Sequence, residues 1–130
     1  MPTQLFVVED SDLVRDHIVA DVLALGDCEL IGTAARETEA VEAIARLCPT
    51  VVVTDIGLAE GTGVEVVRRC RRSTCRPMPR VFVHTNYGDD VYRTLCLKFG
   101  AEQFFDKSKD YPLFLAAMRD VVRDAPSAKS

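Results

Sequence analysis

Val51-Val52-Val53-Thr54-Asp55 is a β-branched run that ends on a carboxylate. Branched side chains favour the pleated strand, and a run that is apolar throughout marks a strand covered on both faces. A charge set directly after a buried strand needs a partner or a task. The same pattern opens the chain, where Leu5-Phe6-Val7-Val8 runs into Glu9-Asp10.

Outward from these two runs, the chain alternates short apolar stretches with helical periodicity. In residues 11–25, Val14, Ile18, Val22 and Leu25 fall on one helix face, with Ser11 as N-cap and Gly26 as stop. A second strand covers 29–34. A second helix carries Val41, Ile44, Ala45 and Cys48 inward and stops at Pro49. Residues 56–63 form a loop with three glycines, before a helix with Val64, Val67 and Cys70 inward. Pro77 and Pro79 precede strand 81–83, and a helix with Val91, Leu95 and Phe99 inward ends at Gly100. Gln103-Phe104-Phe105 is a fifth strand, and the last helix buries Phe114, Met118 and Val121 or Val122. Five strands alternating with five helices predict an α/β, doubly wound parallel sheet. One unit covers residues 1–124, and residues 125–130 read as a small polar tail.

Composition narrows the function classes. The 130 residues are 48% hydrophobic and 28% charged, with a net charge of -4. That balance suits one soluble globular domain and argues against direct nucleic-acid binding. No stretch reaches the roughly 20 apolar residues a spanning helix needs, and the N-terminus lacks a secretory pattern. The five cysteines (Cys28, Cys48, Cys70, Cys75 and Cys96) are scattered, odd in number and without C-x-x-C spacing. This spacing predicts core thiols in a reducing cytoplasm rather than disulfides or a zinc site, with Cys75 exposed.

In a doubly wound sheet, ligands bind beyond the carboxyl ends of the strands. The residues there are Glu9, Asp10, Asp55, Thr85 and Lys107. Three neighbouring carboxylates repel, and a hard divalent cation removes the conflict. Beside such a cation Asp55 becomes a nucleophile toward phosphorus, with the Lys107 charge and the Thr85 hydroxyl for phosphoryl oxygens.

In order along the chain, these residues resemble the response-regulator receiver family over nearly all its length. The acidic pair is Glu9-Asp10 in V-V-E-D-S. The phosphorylated aspartate is Asp55, with Gly63 eight residues on. The hydroxyl residue is Thr85, and the lysine is Lys107 in F-F-D-K-S. No single match is specific; the ordered set is.

The resemblance implies a flavodoxin-like sheet of order 2-1-3-4-5. It implies Mg2+ (or Mn2+) held by Glu9, Asp10, Asp55 and the Gly57 carbonyl, and a phosphoryl group taken from a histidine kinase or histidine phosphotransfer protein. It further implies a switch through Thr85 and Phe104. A downstream protein target would be met at the fourth helix, fifth strand and fifth helix, a face that could also pair two copies of the chain. Gly57 and Tyr87 stand where relatives tune dephosphorylation, and this pair suggests a long-lived phosphorylated state. The only chemistry expected is the chain's own phosphoryl transfer and dephosphorylation, in the cytoplasm and away from membranes. The K-S ending resembles a subset of stand-alone and helix-turn-helix-linked receivers.

Three positions depart from the family: Ala59 and Ser108 replace prolines, and Asn86 replaces a small residue. The isomer of the Lys107–Ser108 bond stays open, a cis bond costing about 2.5–4 kcal/mol.

Blander readings stand beside these. Glu9-Asp10 could simply begin a helix, Lys107 could be a surface lysine, and Phe104 could be ordinary core. His17 reads as solvated and His84 as a packing residue. Arg68, Arg69, Arg71, Arg72, Arg76 and Arg80 form a solvated basic face, or else a docking patch for an acidic partner. A haloacid-dehalogenase-type hydrolase would need an acid where Gly57 stands. A nucleotide or flavin module would need glycines where Asp10-Ser11-Asp12 stands. A receiver-fold module that binds partners without phosphorylation is the remaining alternative.

Overall fold

The computed structural model describes residues 2–124; the predicted tail at 125–130 lies outside the described residues. Strands β1 (Thr3–Val8), β2 (Cys28–Ala34), β3 (Val51–Thr54), β4 (Arg80–Thr85) and β5 (Gln103–Asp106) alternate with helices. The helices are α1 (Asp12–Leu23), α2 (Glu37–Leu47), α3 (Gly63–Arg71), α4 (Asp90–Lys98) and α5 (Tyr111–Arg123). The strands pair in parallel in the order β2-β1-β3-β4-β5, as the resemblance implied. The order reverses between β1 and β3, so their carboxyl ends open on a common crevice.

The period-two alternation of strands splits the core cleanly. Phe6, Val8, Val52, Val81, Val83 and Phe104 point toward α2, α3 and α4. Leu5, Val7, Val51, Val53, Phe82 and Phe105 point toward α1 and α5. The middle strands are therefore apolar at every position because both faces are covered.

Ser11 caps α1 as expected, accepting from the Val14 N–H at 3.3 Å, and Gly26 turns the chain at a φ of 147°. Three helix faces are rotated from those expected. In α2 the buried pair is Ala40 and Ile44, with Val41 half-buried and Ala45 exposed. In α3, Val66 joins Val67 and Cys70 inside, and Val64 is half-buried. In α4, Val91 is 67% exposed and Cys96 is the buried residue. These helices carry too few large apolar residues to fix their rotation by count alone, so contact with the sheet decides it.

The cysteine expectation is overturned. Cys48 and Cys75 form a disulfide across 27 residues, with Cα atoms 5.5 Å apart, and Cys75 is buried. Spacing along the chain does not report proximity brought about by folding. Cys70 and Cys96 are buried thiols and Cys28 is half-buried.

Candidate functional site

Each strand that meets the crevice hands one or two polar groups to it. Asp55 follows β3, and its backbone N–H donates to the Val8 carbonyl at 2.9 Å, which extends the β1–β3 ladder to the site. Its side chain is buried. Oδ1 accepts from the Ile56 N–H at 2.6 Å, and Oδ2 accepts from Lys107 Nζ at 2.7 Å. Glu9, after β1, is 2% exposed; Oε1 accepts from Lys107 Nζ at 2.7 Å and Oε2 from the Ser11 N–H at 3.1 Å. The Lys107 ammonium thus bridges two buried carboxylates that lie 46 positions apart in the chain. Burial raises the Glu9 pKa above the usual carboxylate range, against the pull of the Lys107 hydrogen bond. Burial works against the charge on Lys107, but the hydrogen bonds to Asp55 and Glu9 outweigh it, and its pKa rises.

Carboxylate oxygens of Glu9, Asp10 and Asp55 all lie within 4.8 Å of one another, with Asp10 on the exposed side. Three hard-oxygen donors face one ammonium, and one of them opens to solvent. That donor set and its charge suit a magnesium-type cation that keeps some of its water.

Thr85, at the end of β4, is fully buried. Its Oγ1 accepts from the Tyr87 N–H at 3.0 Å, and its carbonyl accepts from the Lys107 N–H at 2.9 Å. Tyr87 lies against Gly57: a Cβ there would come within 2.6 Å of Tyr87 Cε2. Gly63 has a firmer reason. A Cβ at that position would overlap the Asp55 carbonyl oxygen, so only glycine lets α3 start this close to β3.

Phe104 is 4% exposed and faces α4, where the Arg93 guanidinium stands 4.9 Å from its ring centroid and donates to its carbonyl at 3.3 Å. Arg93 had no signal in the sequence, because its role depends on α4 lying over β5. His84 faces the opposite side, stacked on Phe114 at 4.7 Å, and neither ring nitrogen has a hydrogen-bond partner. His17 is solvated and lies 3.2 Å from Asp21.

The departures from the family have local reasons. Ala59 donates its N–H to the Ala35 carbonyl at 2.9 Å, and Ser108 donates its N–H to Asp106 Oδ1 at 2.8 Å. Proline could make neither bond. Among the described residues the only cis bond is Arg76–Pro77, so Lys107–Ser108 is trans. Asn86 is exposed.

The basic cluster is partly neutralised: Arg68 pairs with Glu65 and Arg80 with Glu102, while Arg69, Arg71 and Arg72 make no ion pair among the described residues. No helix there is long and apolar enough to cross a membrane.

The family model of the response regulator receiver domain matches residues 5–119. The chain belongs to the response regulator receiver family. As a receiver domain it is a module of two-component signalling, a family that works by phosphorylation. Among curated relatives, the protein-glutamate methylesterase/protein-glutamine glutaminase of Rhizobium etli is 37% identical over 101 residues, covering 77% of this receiver and 28% of the relative. The enzyme of the same name from Archaeoglobus fulgidus is 31% identical over 129 residues, covering 98% of the receiver and 36% of the relative. The receiver therefore spans roughly a third of the length of these relatives. Among solved structures, the response regulator domain of Thermotoga maritima CheB superposes with a TM-score of 0.82 at 21% identity, covering 97% of this chain and all of that one. The BeF3-activated receiver domain of Klebsiella pneumoniae RstA gives 0.78 at 27% identity, covering 93% and 99%.

Proposed function

We propose that this receiver is a phosphorylation-dependent switch that accepts a phosphoryl group on Asp55. One observation carries the reading: Glu9, Asp10, Asp55 and Lys107 converge from three strand ends, and the Lys107 N–H is bonded to the carbonyl of Thr85 at the end of β4. The donor is a histidine kinase or histidine phosphotransfer protein, and the phosphoryl group moves from the donor nitrogen to an Asp55 carboxylate oxygen. A magnesium or manganese ion held by Glu9, Asp10, Asp55 and the Gly57 carbonyl would supply positive charge to the phosphoryl oxygens. Lys107 holds Asp55 in place through a hydrogen bond to Oδ2, and its ammonium is in reach of the group that arrives. The Thr85 hydroxyl oxygen accepts from the Tyr87 N–H, and its own O–H can donate to a phosphoryl oxygen.

Phe104 already lies inside, clamped by Arg93, so the change at α4 and β5 starts from an inward aromatic. That face, with α5, meets the downstream protein or a second copy of the chain. Residues 1–124 act as one unit in the cytoplasm, and the only chemistry is formation and loss of the acyl phosphate. Tyr87 across Gly57 limits the approach of water, which favours a long-lived phosphorylated state.

The test is incubation with a small-molecule phosphodonor and magnesium, followed by intact-mass analysis of wild type and Asp55→Asn. One added phosphoryl group, dependent on magnesium and absent from the variant, supports the reading. A folded wild type that gains none, even from a phosphorylated histidine donor, turns the assignment to a phosphorylation-independent binding module.

A further inference from the structure

We propose that the Cys48–Cys75 bond is a reversible thiol–disulfide exchange site, entered from the Cys48 side by a small thiol such as glutathione. Its two ends are unequal: Cys48 is exposed on the surface at the end of α2, whereas Cys75 is 3% exposed in the loop between α3 and β4. Exchange requires a thiolate to reach one sulfur while the other leaves. Only the Cys48 end is open to solvent, so Cys75 is the leaving group. The Arg76 guanidinium, whose Nη1 donates to the Cys75 carbonyl at 2.7 Å, brings positive charge beside the residue that departs as thiolate.

Cys48 closes α2 at a φ of 47°, the only non-glycine residue with positive φ among those described. Helix ends of this kind favour glycine, because a Cβ is strained there. A cysteine at that cap is accounted for by its bond, not by local preference. The tether joins the C-terminus of α2 to the segment that leads into β4.

The remaining thiols do not compete. Burial pushes Cys28 and Cys96 up to about 11 and Cys70 up to about 12, which leaves almost no thiolate near neutral pH. Reduction proceeds in two steps. A glutathione thiolate attacks Cys48 Sγ and forms a mixed disulfide there; the bond to Cys75 breaks, and Cys75 takes up a proton. A second glutathione thiolate attacks the glutathione sulfur of that adduct, which frees Cys48 and releases glutathione disulfide. Glutathione disulfide, as oxidant, runs the same steps in reverse.

The experiment uses the full chain, without denaturant, in buffers of reduced and oxidised glutathione. Thiols are counted afterwards by denaturing alkylation and intact mass. Three alkylated cysteines (Cys28, Cys70 and Cys96) are expected in the oxidised buffer, and all five in the reduced one. Peptide mapping of wild type at limiting glutathione should place the adduct on Cys48. Glutathione disulfide should modify folded Cys75→Ser, through Cys48, at least about tenfold faster than folded Cys48→Ser. Opening the tether should lower the Tm on the order of 10 °C, as expected for a loop of this length. A bond that resists reduction in the folded chain overturns the proposal. So do five thiols in both buffers, or an adduct mapped to Cys75.

Discussion

At the scale of single residues, two side chains invite measurement. His84 is wedged between Phe114 and Tyr111 with no partner for either nitrogen. Burial, with help from the Lys107 charge, lowers its pKa to about 4 from an ordinary 6.5. The fold thus favours the neutral ring, and the unfolded chain binds the proton first as pH falls. Its contribution to stability is complete above about pH 6.5 and is lost progressively down to about pH 4. The difference is on the order of 3 kcal/mol. Urea unfolding of wild type and His84→Phe across that window should show the variant losing less stability than wild type; parallel curves would dismiss this account. Tyr87 acts on kinetics instead. Tyr87→Ala uncovers Gly57 and should speed loss of the phosphoryl group several-fold, followed by mass after removal of the donor. An unchanged rate would remove Tyr87 from that role.

At the scale of elements, the loop between β3 and α3 shows how backbone bonds replace family habits. Ala59 holds the loop to Ala35, just past β2, through its N–H. Ala59→Pro removes that donor and leaves a carbonyl without its partner, at a cost of about 1–3 kcal/mol. Denaturant titration should show the loss as a lower midpoint with an unchanged slope. Gly63 is stricter still, because α3 begins against the Asp55 carbonyl. Helix rotation was the least legible feature at this scale. Val91 looked inward by spacing, yet Tyr92, Cys96 and Phe99 make the contacts that hold α4. A nine-residue helix with apolar residues on several sides has more than one plausible buried face. What it packs against makes the choice.

At the scale of the whole molecule, two cores on opposite faces of one sheet hold the strand ends in register, and the carboxylates with them. Holding three carboxylates together works against the fold unless charge compensates it. A magnesium ion that binds only the folded chain should therefore raise the Tm, by the equivalent of about 2.7 kcal/mol at a hundred times its Kd. A thermal scan against magnesium should show this for wild type and lose most of it in Asp10→Asn. Equal shifts in both proteins would argue against an ion at this cluster. The alternation of apolar strands with helical periodicity, and a carboxylate or lysine at the end of each key strand, were readable from the chain alone. They are local: period, β-branching and the cost of a charge beside a buried run require no knowledge of what lies across the fold. The family pattern added the order of the strands. Only the tertiary structure decided the Lys107 bridge between Glu9 and Asp55, the clamp of Arg93 on Phe104, the rotation of α4 and the bond from Cys48 to Cys75. Each joins residues distant in sequence, and their meeting depends on the packing of whole elements, which no local pattern records.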